Sequence, residues 1–372
     1  MPRKILMLVS AMDSGGAERV AANLANAWAA RGDSVTLLVT YSGRGECFYQ
    51  LAGNVNLVYL ADIAGCTGHG LLNYYRRFKT LRRIIRDLHA DAVVSFLTNV
   101  NVASLLAALG LGQRVIVSER SYPPMLPAGP FWHILRALTY PYASRVVMLT
   151  SEGLDWLNDK IPRARGAVIP NPVPYPLAVF EPRLAPESLV ATDRKLLLAV
   201  GRMDESKQFD RLIEAFSVHA KQYQDWDLVI LGEGALRKTL ELQIQTSGLE
   251  TRARLPGRVG NVGDWYRRAD LYVMSSRFEG FPNTLAEAMA HGCAAVSYDC
   301  NTGPRDIIRH GVDGLLVNPT DGIPALASAM GQLMRDNETR EHMGQKAVEI
   351  RTRYSLESIL TMWDKLFDEA TT

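Results

Sequence analysis

The sequence predicts an α/β protein built from two doubly wound, Rossmann-like domains, and three observations support this fold class. Short apolar runs of strand length alternate with helical patterns along the chain, which is typical of parallel sheets covered by helices on both faces. A stretch with four prolines in eight residues, Ile169-Pro-Asn-Pro-Val-Pro-Tyr-Pro176, interrupts this alternation near the middle. The length of 372 residues also exceeds what one hydrophobic core usually holds.

Apolar runs and helical periodicity assign the elements of each half. In the first half we predict strands at 4–10, 34–40, 92–96, 114–118 and 145–149, with helices at 16–30 and 72–88. In the second half we predict strands at 195–201, 228–232, 271–274, 294–297 and 314–317, with a helix at 283–290. The predicted domains are therefore residues 1–170 and 194–354, joined by a linker at 171–193, and a last helix in 355–372 is expected to return to the first domain.

Composition and charge exclude several classes of protein. The chain is 47% hydrophobic and 22% charged, as in ordinary globular proteins, and its net charge of +2 argues against a dedicated nucleic-acid binder. Residues 1–160 contain 16 Lys and Arg against 11 Asp and Glu, so the basic surplus lies in the first domain.

Neither the cysteines nor the apolar runs indicate export or membrane insertion. Cys47, Cys66, Cys293 and Cys300 form no C-x-x-C pair, and they indicate neither a zinc site nor a disulfide framework. No apolar run approaches the ~20 residues of a membrane-spanning helix, and the first residues do not resemble a signal peptide. We expect a cytoplasmic protein.

Two glycine-containing turns follow predicted strands. Asp13-Ser-Gly-Gly16 opens a helix, where glycines let the backbone approach a phosphate and the helix N-terminus supplies amide donors. Leu231-Gly-Glu-Gly234 has the same arrangement after a strand of the second half. For each of them a plain turn is the alternative interpretation.

Charged residues mark two further strand ends in the second half. In Gly201-Arg-Met-Asp-Glu-Ser-Lys207, the cations Arg202 and Lys207 suit a diphosphate, although a solvated loop with surface ion pairs is the alternative. In Glu279-Gly-Phe-Pro-Asn-Thr-Leu-Ala-Glu287, a loop leads into a helix whose first amides suit a phosphate. Those amides lie near Asn283, Thr284 and Leu285. Glu279 could hold sugar hydroxyls and Glu287 a ribose, but a surface helix residue is the alternative for Glu287.

A metal is not expected. The one D-x-D motif, Asp225-Trp-Asp227, lies at the amino end of a buried strand, away from the edge of the sheet where ligands bind. The sequence therefore predicts neither a metal site nor a cofactor.

Together these pieces resemble glycosyltransferase family 4, the retaining family with the GT-B fold. The resemblance is carried by Gly15-Gly16, by Gly201-Arg202 with Lys207, by the E-x7-E pair of Glu279 and Glu287, and by the glycine-punctuated tail 303–314. It covers nearly the whole chain and implies two Rossmann-like domains facing a central cleft.

The resemblance also implies a role for each position. Arg202 and Lys207 bind the donor diphosphate and stabilise its departure, with the amides of Gly15 and Gly16 packed against it. Glu279 holds the transferred sugar and Glu287 the ribose, and the backbone around Arg258 meets the base. Fixed cations and helix amides can stabilise a leaving diphosphate without a metal.

One departure concerns the first domain. Many family members have a histidine near the end of the strand that here ends at Ser118, whereas this chain continues with Glu119 and Arg120. Arg120 is permanently protonated and cannot act as a base. We expect Glu119 or Arg120 to orient the acceptor or the donor phosphate instead, while the leaving phosphate takes the acceptor proton.

Four segments are more specifically similar to bacterial enzymes that extend polyprenyl-diphosphate-linked glycans. They are residues 13–19, 95–99, 117–120 and 279–284. This similarity implies a UDP-sugar donor, such as a UDP-N-acetylhexosamine, and a polyprenyl-diphosphate-linked saccharide as acceptor, in O-antigen, capsule or N-glycan synthesis.

The predicted helix at 72–88 has one basic face. Arg76, Lys79, Arg83 and Arg86 recur at helical spacing with Arg82 beside them, and Phe78, Leu81, Ile84, Ile85 and Leu88 line the opposite face. We expect the basic face to meet anionic lipid or an acceptor pyrophosphate at the inner face of the cell membrane. A solvated charged face is the alternative.

Three other functions remain open at this point. They are a GT-B epimerase of UDP-N-acetylhexosamine, a transferase acting on a soluble small-molecule acceptor, and a non-enzymatic module that binds a nucleotide sugar.

Overall fold

The computed structural model describes residues 2–13, 15–40, 45–68, 70–125 and 129–369. The chain divides into two compact units. The first unit is Met1–Pro172 together with Leu356–Thr372, and the second is Val173–Ser355. Each unit has one parallel sheet, which confirms the predicted pair of Rossmann-like domains.

The sheet of the first unit has seven parallel strands. They are β1 Lys4–Val9, β2 Ser34–Val39, β3 Asn56–Tyr59, β4 Ala92–Phe96, β5 Val115–Ser118, β6 Arg145–Met148 and β7 Gly166–Val168. Their order is β3-β2-β1-β4-β5-β6-β7. The central strands are apolar and buried on both faces, whereas β3 and β7 lie at the edges and are half-buried.

Helices cover this sheet. They are α1 Gly16–Ala30, α2 Leu60–Ala64, α3 Leu71–Leu88, α4 Thr98–Ala108, α5 Pro130–Thr139 and α6 Ser151–Lys160. The sixth begins with an N-cap from Thr150, whose hydroxyl accepts from the amide of Gly153. Helix α4 is mostly buried and packs against both α3 and α5.

The second unit has a six-stranded parallel sheet. Its strands are β8 Lys195–Val200, β9 Trp226–Leu231, β10 Ala253–Gly257, β11 Leu271–Met274, β12 Ala295–Tyr298 and β13 Gly314–Val317. Their order is β10-β9-β8-β11-β12-β13. Its helices are α7 Phe209–His219, α8 Arg237–Thr246, α9 Val262–Arg268, α10 Asn283–Ala290, α11 Pro304–Ile307, α12 Gly322–Arg335, α13 Asn337–Ala347 and α14 Ile350–Arg353.

The strand order of each sheet reverses at one place, which fixes where a ligand can bind. In the first unit the reversal lies between β1 and β4, and in the second between β8 and β11. The loops that follow two such strands diverge and leave a crevice at the carboxyl edge of the sheet. The loops after β8 and β11 are therefore neighbours in the second unit.

The last helix, α15 Leu356–Glu369, belongs to the first unit. Trp363 on this helix meets Trp28 of α1 edge to face, with ring centroids 5.9 Å apart. Arg3 donates to Asp364 at 2.7 Å and also pairs with Asp368 at 2.7 Å. Aromatic packing and ion pairs thus attach the end of the chain to its beginning.

The segment predicted as a linker, residues 171–193, is bonded to the second unit from Val173 onward. Its prolines lack amide donors, but several of the remaining amides find partners there. The amide of Phe180 donates to the carbonyl of Gly260 at 3.0 Å, and that of Leu184 donates to the side chain of Asn261 at 3.0 Å. A side chain at Gly260 would overlap the backbone of Phe180, so glycine permits this close approach.

The D-x-D motif contributes to the structure of the second unit. The Asp227 carboxylate is buried at the start of β9 and accepts two bonds from Arg194, at 2.6 and 2.7 Å. Asp225 is exposed and lies 3.6 Å from Lys195. Asp227 therefore serves a bidentate ion pair at the amino edge of the sheet.

We expect Asp227→Asn to lower the free energy of unfolding by about 1–3 kcal/mol, because it leaves a bidentate guanidinium without its carboxylate. Asp225→Asn is the matched control and should change stability by less than about 0.5 kcal/mol. Chemical denaturation of both variants measures the difference. Equal stabilities, with a metal-dependent loss of activity in either variant, would contradict this structural role.

Candidate active site

The crevice between β8 and β11 brings together two of the predicted site residues, Lys207 and Glu279. Lys207 lies on the loop after β8 and Glu279 on the loop after β11. The Lys207 ammonium donates to Oε1 of Glu279 at 2.6 Å, and the two side chains are 18% and 11% exposed. A cation and a carboxylate thus share a partly desolvated position at the carboxyl edge of the sheet.

Neighbouring side chains fix this pair. The Ser276 hydroxyl donates to the same Oε1 of Glu279 at 2.6 Å. The hydroxyl of Thr302 donates to the carbonyl of Glu279 at 2.7 Å, and that of Ser275 donates to the carbonyl of Lys207 at 2.8 Å. Because two donors use Oε1, the other carboxylate oxygen, Oε2, is the one left for a ligand hydroxyl.

Arg202 does not take part in this pair. Its side chain is 79% exposed and lies 3.5 Å from Asp204 on the same loop. The arrangement is that of the solvated loop with a surface ion pair, although an exposed guanidinium can reorient towards an anion at little cost in free energy. Sequence reasoning placed Arg202 on the loop after β8 without fixing the direction of its side chain.

The loop of Arg202 is held by close backbone contacts with the turn 231–234. A Cβ on Gly232 would overlap the carbonyl of Gly201, and one on Gly234 would overlap that of Met203. The amide of Met203 donates to the carbonyl of Glu233 at 3.0 Å. These glycines therefore serve tight packing between two loops, which agrees with the plain-turn interpretation.

The N-terminus of α10 opens beside the same loop. Pro282 precedes the helix and provides no side-chain cap, and the Asn283 amide donates to the carbonyl of Phe281 at 2.9 Å. The geometry of a helix leaves the amides of Thr284 and Leu285 without intrahelical acceptors. The Tyr272 hydroxyl donates to the Thr284 hydroxyl at 2.9 Å, and burial raises the pKa of Tyr272 well above its usual range. Tyr272 therefore keeps its proton, and its hydroxyl holds the Thr284 side chain at the start of the helix.

Glu287 is buried, which excludes its interpretation as a surface helix residue. Its Oε2 accepts from the Tyr266 hydroxyl at 3.3 Å. His291 lies one turn further, where its Nδ1 is 2.7 Å from the Glu287 carbonyl, and burial lowers the pKa of this imidazole. The Tyr266 phenol thus lies beside the Glu287 carboxylate, and the His291 imidazole lies beside the carbonyl of the same residue.

Arg258 is exposed directly after β10. The nearby Glu233 bonds to Arg237 at 2.7 Å and lies over Gly257, where a Cβ would come within 2.7 Å of its carboxylate. Sequence reasoning missed this Glu233 and Arg237 pair, although its i,i+4 spacing is visible in the sequence.

In the first unit, Gly15 is the N-cap residue of α1 and Gly16 is the first residue of the helix. The Glu18 carboxylate folds back over Gly15, so that a Cβ there would overlap it. Burial raises the pKa of Glu18. An anion of the protein thus occupies the helix N-terminus where we predicted a diphosphate, and sequence reasoning had assigned Glu18 no role.

Glu119 forms an internal ion pair instead of facing solvent. Its fully buried carboxylate accepts from Arg136 at 3.0 Å, from the Thr98 hydroxyl at 2.9 Å and from the Tyr140 hydroxyl. Asn101 in turn donates to the Tyr140 oxygen at 3.1 Å. In this arrangement Glu119 links α4 to α5, and its carboxylate does not face an acceptor substrate.

Arg120 is buried beside this network but has different partners. Its guanidinium stacks on Phe96 at 4.2 Å and donates to the Ser118 hydroxyl at 3.1 Å and to Asn171. Burial lowers the pKa of Arg120 to about 9. The group remains mostly protonated at neutral pH, so it is a cation and not a base.

The basic face of α3 is exposed, with one exception. Arg76, Lys79, Arg83 and Arg86 are exposed, and Arg86 pairs with Asp87 at 2.7 Å. Arg82 instead donates to the carbonyls of Ala107 and Leu109 at 2.8 and 2.7 Å, at the carboxyl end of α4. Arg82 therefore has a structural role.

The predicted apolar face of α3 needs one correction. Phe78 is exposed, and Arg77 is buried with Leu81 and Ile85. The Arg77 guanidinium donates to the carbonyl of Gly68 at 3.3 Å and lies over the Tyr74 ring. Arg77 lies one turn before Leu81 and so shares its face, whereas Phe78 points about 100° away from Arg77, at the edge of the apolar stripe. Among the described residues, no helix has both the length and the apolar character that crossing a bilayer requires.

Two family models match this chain, in two successive stretches of its sequence. The model of glycosyltransferase family 4 matches residues 14–175, and that of glycosyl transferases group 1 matches residues 181–349.

Two curated relatives come from Campylobacter jejuni. An α-1,4-N-acetyl-D-galactosaminyltransferase named for GalNAc-α-(1→4)-GalNAc-α-(1→3)-diNAcBac-PP-undecaprenol is 28% identical over 98% of both chains. An N-acetylgalactosamine-N,N′-diacetylbacillosaminyl-diphospho-undecaprenol 4-α-N-acetylgalactosaminyltransferase is 27% identical over 93% of this chain and 94% of its own.

Among solved structures, HepE of Anabaena in complex with UDP aligns with a TM-score of 0.80 and 17% identity, over 98% of this chain and 99% of that one. This likeness concerns the fold. The chain therefore belongs to the glycosyltransferases of family 4 and group 1, and it has the GT-B fold of two Rossmann-like domains.

Proposed function

We propose that this glycosyltransferase moves a hexose or N-acetylhexosamine, with retention of configuration, from a UDP-sugar to a polyprenyl-diphosphate-linked saccharide at a membrane surface. The supporting observation is the Lys207 and Glu279 pair, 2.6 Å apart at the carboxyl edge of the second sheet. Surface glycans such as O-antigen, capsule or an N-glycan precursor are the proposed products.

The donor chemistry follows from where charge develops. As the bond between the anomeric carbon and the phosphate oxygen breaks, its electron pair goes to the nucleoside diphosphate. The Lys207 ammonium and the first amides of α10 would stabilise that charge, and Arg202 would join them by reorienting. The free oxygen of Glu279 would accept from a sugar hydroxyl, and Glu287 from the ribose. The acceptor hydroxyl attacks the same face, and its proton passes to the departing phosphate oxygen.

The acceptor assignment rests on two supports. The names of both Campylobacter relatives contain an undecaprenol-linked diphosphate saccharide. The exposed cations of α3 would meet the diphosphate or anionic lipid, and the buried cation of Arg120 would orient a phosphate from the first unit.

Replacing either member of the central pair tests the donor site. We expect Glu279→Ala and Lys207→Ala each to reduce turnover at least 100-fold, because losing one electrostatic contact of a transition state costs about 2.7–4 kcal/mol. Lys221→Ala is the control, since Lys221 is exposed at the amino edge of the same sheet. Near-normal rates in both variants, with intact thermal unfolding, would refute this site.

A donor panel tests the reaction itself. Incubation of UDP-hexoses and UDP-N-acetylhexosamines with a short polyprenyl-diphosphate disaccharide should add one sugar, read by mass spectrometry, with the configuration read by NMR. Epimerised UDP-sugar without acceptor would indicate an epimerase. Transfer only to water-soluble glycosides would indicate a small-molecule transferase, and binding without turnover a binding module.

Reversing the charge of Arg76, Lys79 and Arg83 tests the membrane surface. Each cation near an anionic membrane is worth about 1 kcal/mol, so three glutamates should weaken binding to phosphatidylglycerol vesicles by about a hundredfold or more. The matched control reverses Lys221, Lys238 and Arg335, three exposed cations of the second unit. Vesicle binding that is equal in both triple variants removes the membrane assignment of α3.

A further inference from the structure

Helix α5 exposes a set of large apolar side chains although it buries a charged one. Its inner face carries Arg136, which is fully buried, whereas its outer face carries Phe131, Ile134 and Leu138. These three side chains and Tyr142, in the turn after the helix, are between 59% and 72% exposed. Their spacing of three, four and four residues makes one continuous stripe.

The buried side of α5 explains why the helix keeps this orientation. Arg136 donates to Glu119 at 3.0 Å and to the Thr98 hydroxyl at 2.9 Å, and its guanidinium lies 5.6 Å from the centre of the Trp156 ring. Turning the helix to hide the apolar stripe would break this ion pair and leave a buried carboxylate unpaired, which is strongly destabilising. The stripe is therefore fixed outward by an interaction on the other side of the same helix.

Exposed apolar side chains are concentrated near this stripe. The described residues have twenty exposed large apolar side chains, and nine lie on α5 with Tyr142 or on the first turns of α3. Those of α3 are Leu71, Leu72, Tyr74, Tyr75 and Phe78. Clusters of this kind mark interaction surfaces, whereas scattered single residues do not.

The two helices share one side of the first unit. The connections from β3 to β4, β4 to β5 and β5 to β6 all run the same way across the sheet. Right-handed crossovers then place α3, α4 and α5 on one face, and α4 packs against both neighbours. The apolar stripe of α5 and the exposed cations of α3 consequently point away from the same face of the sheet.

We infer that the stripe of Phe131, Ile134, Leu138 and Tyr142 inserts into the boundary between headgroups and acyl chains of an anionic bilayer. Apolar and aromatic side chains beside exposed cations are the combination that holds a protein in this interface. Residues 121–142 contain no Asp or Glu that would repel anionic lipid. The inference rests on the proposed membrane-bound acceptor and extends the contact from the basic face of α3 to α5.

Charge argues for a bilayer over a second copy of the chain. A two-fold dimer on this surface would bring the cations of α3 close to the same cations of its partner, and like charges oppose such a contact. A sheet of anionic headgroups presents the opposite sign along its whole surface.

Flotation with vesicles tests the stripe. We expect the triple variant Phe131→Ser, Ile134→Ser, Leu138→Ser to bind vesicles of phosphatidylcholine and phosphatidylglycerol with an affinity at least about tenfold lower than that of the wild type. The binding that it loses should be the part that survives high salt, because apolar insertion is not screened. The control is Val218→Ser with Leu242→Ser, two equally exposed apolar residues of the second unit.

Two further measurements separate this inference from the proposed function. The triple variant should keep its transfer rate on a water-soluble, short-chain acceptor and lose it on an acceptor embedded in vesicles. If the wild type transfers no sugar from any donor, the proposed function fails, but the vesicle binding still tests the role of the stripe. Unchanged salt-resistant binding of the triple variant overturns the inference. A dimeric wild type together with a monomeric triple variant also overturns it. Circular dichroism and thermal unfolding confirm that the variant is folded.

Discussion

The proposed donor site depends on a cation and a carboxylate that hold each other in a partly desolvated position. Lys207 and Glu279 come from loops that follow adjacent strands, so the reversal of strand order between β8 and β11 brings them together. Each also has a second anchor, through Ser275 on the lysine backbone and Ser276 on the carboxylate. The pair therefore presents a fixed charge and a free oxygen side by side, which is what stabilising a departing phosphate and holding a sugar both require.

The first unit is organised around another ion pair with a different consequence. Glu119 and Arg136 are both fully buried, and Thr98 and Tyr140 complete their hydrogen bonds. This pair lies within the unit and fixes the orientation of α5. It thereby determines which side chains of that helix meet the surroundings, so a contact inside the protein defines the character of its surface.

The fold could be predicted from the sequence because the central strands are continuous apolar runs, such as 5–9 and 196–200. The edge strands β3, β7 and β10 were not predicted, since they are short and only partly buried. Lys207 and Glu279 could be placed at one edge because parallel strands end there together. The burial of Glu119 could not be predicted, since nothing in the sequence spacing shows that Arg136 and Tyr140 contact it in the folded protein. Phe78 and Arg77 show a finer limit, because neighbouring residues on a helix point in directions about 100° apart.

The position of Glu18 has a consequence for anion binding at the beginning of α1. Its carboxylate rests over Gly15 at the beginning of α1, where the helix favours negative charge. An anion that binds these amides must first displace the Glu18 carboxylate. Its net binding free energy is therefore less favourable than at an unoccupied helix end.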